Sequence, residues 1–394
     1  MKKPAILGGS PAFNTLLPIS RPFCPKVKDL KEKLSDIFST GQITNSKYVR
    51  EFEEMICDYI NVPYAICVSS CTLGLVLTLK ALSLEGSKFI VPSFTFPVTV
   101  TSLLWNNIEP KFADIDPETL NISTQSIEKN IDEDTRGILG VHVYGTPCEV
   151  EYLEELAKRY NLFLLFDAAH AFGAKYRGKL IGCFGDAEIF SLSPTKTVMA
   201  GEGGVVTTNN RELAEKIKIL RNYGDPGTND FEYIGLNSRM SELHAILGIF
   251  SLKRVEEEVE IRNELANIYM ENLKELPGIS FQKVKEHVRS TFKDFSIILD
   301  EEKFGLKRDI VKLALEKENI QVKRYFYPPC HKQKFFGERF KDLNLKVTEK
   351  ISNSVISLPI YSSLKKKDVI KICECIKRIY DFKEEIKNYI SLKE

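Results

Sequence analysis

An aspartate ending one apolar run and a lysine in a loop of small residues stand 29 positions apart in this chain. Asp167 follows Leu162-Phe163-Leu164-Leu165-Phe166, a run that reads as a buried strand. Lys196 lies between a second apolar run, Ile189-Phe190-Ser191-Leu192, and the turn-forming Gly201-Glu202-Gly203-Gly204. A lysine amine attacks an aldehyde when desolvation and neighbouring positive charge keep it neutral. A carboxylate facing a pyridinium nitrogen keeps that nitrogen protonated, so the ring can draw electrons from a bound substrate. Together the two residue types suit pyridoxal 5'-phosphate chemistry, with Lys196 as the imine-forming amine and Asp167 as the ring partner. Taken one at a time, a surface lysine and a helix-capping aspartate are the plainer readings.

The elements that must position this pair follow from periodicity. From about residue 47 to 210, apolar strand-like runs alternate with helix-like segments. Strands are expected at Ala65–Val68, Lys88–Val91, Lys111–Asp114, Gly137–Val143 and Leu162–Phe166, and helices at Thr72–Leu82, Pro97–Asn106 and Val150–Tyr160. Such alternation argues for a mostly parallel sheet covered on both faces, with ligands outside the carboxyl ends of the strands. Asp167, Ser69-Ser70-Cys71 and Pro92-Ser93-Phe94 all fall at such ends. Ser70-Cys71-Thr72 opens a helix, whose free N–H groups and positive dipole end suit a phosphate dianion as well as a plain cap. Farther on, the charged stretch Leu252–Leu276 reads as a solvated connecting helix. Ile279–Val284 and Thr291–Leu299 read as strands, and Arg308–Lys317, 367–380 and 382–390 as helices. The expected organisation is an N-terminal arm (1–25), a large αβα cofactor-binding domain (26–250) and a smaller α+β domain (251–394).

A chain of 394 residues can bury two or three cores, and 43% hydrophobic with 28% charged residues is ordinary for a globular protein. With 55 basic against 54 acidic residues, the net charge of +1 gives no field for nucleic acid or an anionic membrane. The nine cysteines include no CxxC, so neither a zinc ribbon nor a disulfide framework is indicated, and no metal is expected. Two lysines and a three-residue apolar run before Gly8-Gly9 are too short for a signal-peptide core. No stretch approaches the ~18 apolar residues of a membrane span. A cytoplasmic location is expected.

The string DAAHAFGAKYRGKLIGCFGDAEIFSLSPTKTVMAGEGG (167–204) resembles the signature of the DegT/DnrJ/EryC1/StrS aminotransferases, pyridoxal-phosphate-dependent sugar aminotransferases. GQITNSKYVREFEE (41–54), CVSSCTLGLVLTLKAL (67–82), VPSFTFPVTV (91–100) and FADIDPETLNIS (112–123) resemble that family in its order. So do VHVYGTPCEVEYLEELA (141–157), GLNSRMSELHAILG (235–248) and ISLPIYSSL (356–364), so the likeness covers nearly the whole chain. It implies a fold-type I, aspartate aminotransferase-like α/β architecture.

The resemblance also implies roles. Lys196 would carry the cofactor, and Asp167 would face its ring nitrogen. Ser191 matches a phosphate-binding serine, and Ser70, Cys71 and Thr72 match the family's Ser-Gly-Thr phosphate turn. Cys71 replaces a glycine there, which calls for a right-handed or slightly rearranged turn. His170 replaces the more usual glutamine near the ring's 3-oxygen; a satisfied core histidine is its other reading. Phe96 matches an aromatic that stacks on the cofactor. Asn237 and Arg239 match residues that cross from a neighbouring subunit to phosphate and substrate, which implies a homodimer with shared sites; Asn237 as a mere helix cap is the alternative. Tyr327 and His331, in Tyr325-Phe326-Tyr327-Pro328-Pro329-Cys330-His331, match a substrate-side loop, with Arg324 beside it and Arg289 a weaker candidate. The implied reaction is ping-pong transfer from glutamate to a nucleotide-activated keto-deoxysugar. The opening Ala5–Pro11 also resembles branches that act on free keto-cyclitols. A sugar dehydratase branch carries histidine where Lys196 stands, and a non-catalytic regulator would want a DNA-binding segment that is absent here.

Overall fold

The computed structural model describes residues 2–392. Its centre is a seven-stranded sheet in the order Tyr64–Val68, Gly204–Thr208, Ala187–Ser191, Phe163–Asp167, Thr135–Val141, Lys88–Pro92, Glu109–Ala113. Gly204–Thr208 pairs antiparallel with both neighbours, and the other six strands share one direction. These strands are apolar on both faces, as a sheet covered by helices requires. Cys71–Leu82, Pro97–Trp105 and Arg211–Leu220 pack against one face, through Leu75, Val100 and Ile217. Lys47–Ile60, Val150–Tyr160 and Glu242–Leu252 cover the other, through Phe52, Leu153 and Ile249. The expected strand and helix series is present, with ends displaced by one or two residues.

The register explains where chemistry collects. Asp167 pairs with Ile189 in parallel, so the carboxyl ends of Phe163–Asp167 and Ala187–Ser191 share one edge. Because Ala187–Ser191 and Gly204–Thr208 run antiparallel, the loop 192–203 turns back at that edge and carries Lys196. Gly204 opposes both Val68 and Ser191. A Cβ on Gly204 would stand 2.5 Å from the Cys71 amide nitrogen, so only glycine lets this strand pass under the helix start.

A second, antiparallel sheet of Ile279–Phe281, Phe295–Leu299 and Val355–Leu358 is backed by Arg308–Lys317 and Lys366–Asp381. Helix Val255–Leu273 is not the solvated connector that its charge run suggests. Val255 and Val259 enter the first core, and Leu265, Ala266, Tyr269 and Leu273 enter the second, so one apolar stripe joins the two. Thr291–Asp294 does not extend the strand Phe295–Leu299 but leads away from it. The segment 330–345 returns to the larger sheet, where Cys330, Phe336 and Leu345 pack with Phe112. All nine cysteines are free thiols, and Cys373 and Cys375 are core residues of Lys366–Asp381. No helix among the described residues is long and apolar enough to cross a membrane.

The N-terminal residues lie on the second core. The fully buried Glu318 accepts from the Ala5 and Ala12 N–H groups at 2.9 and 2.8 Å and pairs with Arg378 at 3.0 Å. Leu17 bridges to Ile320, extending the attachment. Removing one partner of such a buried pair leaves the other desolvated and unpaired. Glu318→Ala is expected to lower the unfolding free energy by about 3 kcal/mol in urea titration. The arm should also become the first site of limited proteolysis.

Candidate active site

At the carboxyl edge of the large sheet lies a cavity of about 370 Å3. Ser70, Cys71 and Thr72 line it from a helix start, Asp167 and Ser191 from strand ends, and Lys196 from the reversing loop. His142, Ala169 and His170 line it as well, and Lys293, Asp294, Tyr325 and Phe326 close it from the chain beyond helix Val255–Leu273. Lys196 and Asp167, far apart in sequence, therefore meet in one chamber.

Asp167 is held from two sides. Its Oδ2 accepts from Thr99 Oγ1 at 2.6 Å, and its Oδ1 accepts from the Ala169 N–H at 3.1 Å. Thr99 spends its proton on Asp167, so the 2.8 Å contact with Thr95 has Thr95 as donor. The carboxylate is thus fixed at 6% exposure with its orientation set by a threonine relay. Behind it His142 stacks on Phe166 with centroids 4.8 Å apart. The Cys148 N–H donates to His142 Nδ1, so Nε2 carries the ring proton and donates to the buried Glu188 at 3.2 Å.

Burial pushes the Lys196 ammonium down to about 8, and the nearby Lys293 ammonium adds to the effect; Asp294, Cys71 and Asp167 oppose it. A large share of the amine is therefore neutral near pH 8, as an attacking lysine needs. Burial, then Lys196 and Lys293, hold the His170 imidazole well below its usual range, so it is neutral at pH 7. It stacks on Phe326 with centroids 6.2 Å apart and 19° between planes.

The helix Cys71–Leu82 supplies an anion cradle. Ser70 Oγ accepts from the Leu73 N–H at 3.2 Å, and the Gly74 N–H goes to the Ser70 carbonyl at 2.9 Å. The N–H groups of Cys71 and Thr72 find no acceptor among the described residues. Cys71 is the first helical residue and is absent from the left-handed region, so the cysteine costs no strain there. Its thiol, pushed up by burial and by Asp167, stays protonated. Ser191 adds a hydroxyl whose two contacts are both long, donating to Ser193 Oγ and accepting from the Ser193 N–H at 3.4 Å each. Free amides over a glycine-cleared floor, a depressed lysine and a fixed buried carboxylate fit pyridoxal phosphate.

Phe96 lines the same cavity at 56% exposure, just before the helix Pro97–Trp105. Arg324 and Tyr327 line an adjoining cavity of about 400 Å3, which shares Thr95, Phe96, Tyr325 and Phe326 with the first. There Arg308 and Arg324 lie over the Tyr327 ring at 4.4 and 4.7 Å. His331 departs from the sequence expectation. It is 2% exposed, lines neither cavity, bonds Ser93 Oγ at 2.6 Å and reaches Glu349 at 3.1 Å. It anchors the loop instead of facing a ligand. Arg289 is likewise occupied, by the Gly173 carbonyl and Glu256. Asn237 and Arg239 lie outside the cavity within this chain; Asn237 is exposed, and Arg239 stacks on Tyr223 at 5.1 Å. Sequence reasoning missed Thr99, Lys293 and Asp294. The adjacent opposite charges of Lys293-Asp294 inside an apolar run were the available signal.

Residues 26–377 match the DegT/DnrJ/EryC1/StrS aminotransferase family. The chain is 31% identical over 358 residues to GDP-perosamine synthase of Vibrio cholerae, covering 89% of this chain and 96% of that one. It is 30% identical over 364 residues to dTDP-4-amino-4,6-dideoxy-D-glucose transaminase of Escherichia coli, covering 91% and 98%. The crystal structure of DesI in the presence of its TDP-sugar product superposes with a TM-score of 0.91 at 32% identity, over 98% of both chains. The chain belongs to the DegT/DnrJ/EryC1/StrS family and is a pyridoxal-phosphate-dependent aminotransferase of the fold-type I class.

Proposed function

We propose that this aminotransferase moves the amino group of an amino acid, glutamate foremost, to the keto group of a nucleotide-activated keto-deoxysugar in two alternating half-reactions. The observation that carries this reading is the second cavity, which adjoins the first through a shared aromatic wall and offers Arg324, Lys312 and Lys323. A sugar in the first chamber would extend a diphosphate and nucleoside toward the second. Relatives named for GDP- and dTDP-linked amino sugars support the same class. We place the domains at 26–250 and 251–394 with an arm over 1–25, and the protein in the cytoplasm.

When bound, the cofactor supplies an aldehyde to carry the amine and a ring to spread the charge left by proton loss. Asp167 holds the proton of the ring nitrogen, and the Thr95–Thr99 relay fixes its carboxylate. The Cys71 and Thr72 amides and Ser191 would hold the phosphate, and His170 would serve the ring's oxygen. The Lys196 amine would take the proton from the substrate carbon that bears the nitrogen and deliver it to the carbon on the other side of that nitrogen. Tyr325 and Phe326 keep water from the reacting atoms.

The two half-reactions can be tested in reverse. Holoenzyme mixed with GDP-perosamine or dTDP-4-amino-4,6-dideoxy-D-glucose should lose the cofactor's visible absorbance, and Lys196→Ala should not turn over. A response to a free amino-cyclitol alone would move the substrate to the cyclitol class.

Capture of pyridoxal phosphate by the cofactor-free protein reports on the Lys196 amine. Its proton is lost near pH 8. The capture rate should therefore rise about tenfold per pH unit below that point and level off above it. An unperturbed lysine would keep rising past pH 10, and such a profile would contradict the desolvated site.

Asn237 supports reading the protein as a homodimer with shared sites. It lies among exposed apolar side chains, including Phe231, Ile234 and Leu236, which a second copy would cover. If it serves the neighbour's phosphate, a heterodimer of Lys196→Ala and Asn237→Ala subunits has one site with both lesions and one with neither. Verified heterodimers should then regain about half the wild-type activity per dimer. Sites confined to one chain would each carry a lesion, and no recovery would be seen.

A further inference from the structure

Lys293 and Asp294 stand at the entry to the strand Phe295–Leu299 and line the cavity. Each side chain is 6% exposed. Lys293 Nζ donates to Asp294 Oδ1 at 2.8 Å and faces the Tyr325 ring at 5.6 Å. That hydrogen bond uses one of the ammonium's three N–H groups. Asp294 Oδ2 has no hydrogen-bond partner, and the nearby His170 Nδ1 is 3.8 Å away. A desolvated ammonium with unused donors is costly unless a ligand supplies acceptors.

The other cavity groups narrow what that ligand is. No arginine lines the chamber among the described residues. Lys196 is committed to the chemistry, the helix start at Ser70–Thr72 to a phosphate, and His170 is neutral. An amino-acid donor brings at least one carboxylate into this dry space, and Lys293 is the remaining cation to meet it. A keto-sugar brings hydroxyls, which lean far less on an ammonium.

We propose that Lys293 binds a carboxylate of the amino-acid donor, with Asp294 as the positioning residue that holds its ammonium toward the cavity. The assignment rests on reading the chamber as the place of amino transfer. It separates the two half-reactions at the binding step: the donor needs Lys293 to bind, and the sugar does not. The rival role is electrostatic only, in which Lys293 merely keeps Lys196 neutral; that role touches both halves alike.

The test uses holoenzyme of the wild type, Lys293→Met and Lys293→Arg. Succinate, a dicarboxylate without an amine, is titrated by calorimetry. L-glutamate and dTDP-4-amino-4,6-dideoxy-D-glucose are followed in single-turnover half-reactions. Lys293→Met should weaken succinate and glutamate binding by about 10- to 100-fold, a loss of affinity that the amino sugar does not share, on top of whatever rate both half-reactions lose together through Lys196. Lys293→Arg should recover part of the loss. The double variant Lys293→Met/Asp294→Asn, which leaves no bare carboxylate buried, should repeat the selective loss if Lys293→Met alone folds poorly. Equal losses in both halves, unchanged succinate binding, or a wild type that binds neither succinate nor glutamate would each overturn the assignment. A wild type that reacts with glutamate but refuses every nucleotide amino sugar would end the substrate reading, while the succinate titration still judges Lys293.

Discussion

The strand Gly204–Thr208 runs against both of its neighbours, and this reversal brings the chain back to the sheet edge where Asp167 and Ser191 end. The lysine-bearing loop is the return path of that strand, so Lys196 is held by sheet register and not by a flexible excursion. The same strand starts under the helix at Ser70–Cys71, close enough that any side chain on residue 204 would strike the backbone. One pairing therefore sets the amine, the phosphate-side amides and the ring-side carboxylate relative to each other. Steric contact fixes the floor of the chamber, and hydrogen bonding through Thr99 fixes its wall.

Charge in the chamber is balanced by neighbours, not by solvent. Lys196 is neutral enough to attack because it is desolvated and because a second ammonium stands nearby. That second ammonium is stable because Asp294 accepts its hydrogen bond. Each group is tolerable only with the next one present, as expected of polar groups in a low-dielectric interior.

Lys196, Asp167 and the Ser70–Thr72 helix start were legible from residue type and periodicity, since each ends or begins a strongly patterned element. Val150–Tyr160 and Arg308–Lys317 have the boundaries their patterns predict. Helix Val255–Leu273 was misread because its run of glutamates outweighed the stripe Val255, Val259, Ala266, Tyr269 and Leu273 at helical spacing. His331 was misplaced because its partner, Ser93, lies 238 positions away, and no local pattern says which side of a loop turns inward. Thr291–Asp294 alternates like a strand, but tertiary contacts of Thr291 with Gly145 and His170 pull it over the cavity instead. Asn237 and Arg239 lie outside the cavity of their own chain, so no pattern within one chain ties them to it.

The His331 anchor divides the loop that ends there into two regimes. Its base is pinned to Ser93 on one side and Glu349 on the other, and Cys330 is locked into the sheet's own core. Within its tip, Phe326 is buried against Phe94, Val141 and Tyr144 at the edge of the large sheet, whereas Tyr327 and Pro328 line the second cavity. Substitutions at Tyr327 and Pro328 can therefore reshape the second cavity without removing a core contact, whereas Phe326 ties the cavity wall to the sheet edge. The loop thus carries its variable surface on two residues that stand between a pinned histidine and a buried phenylalanine.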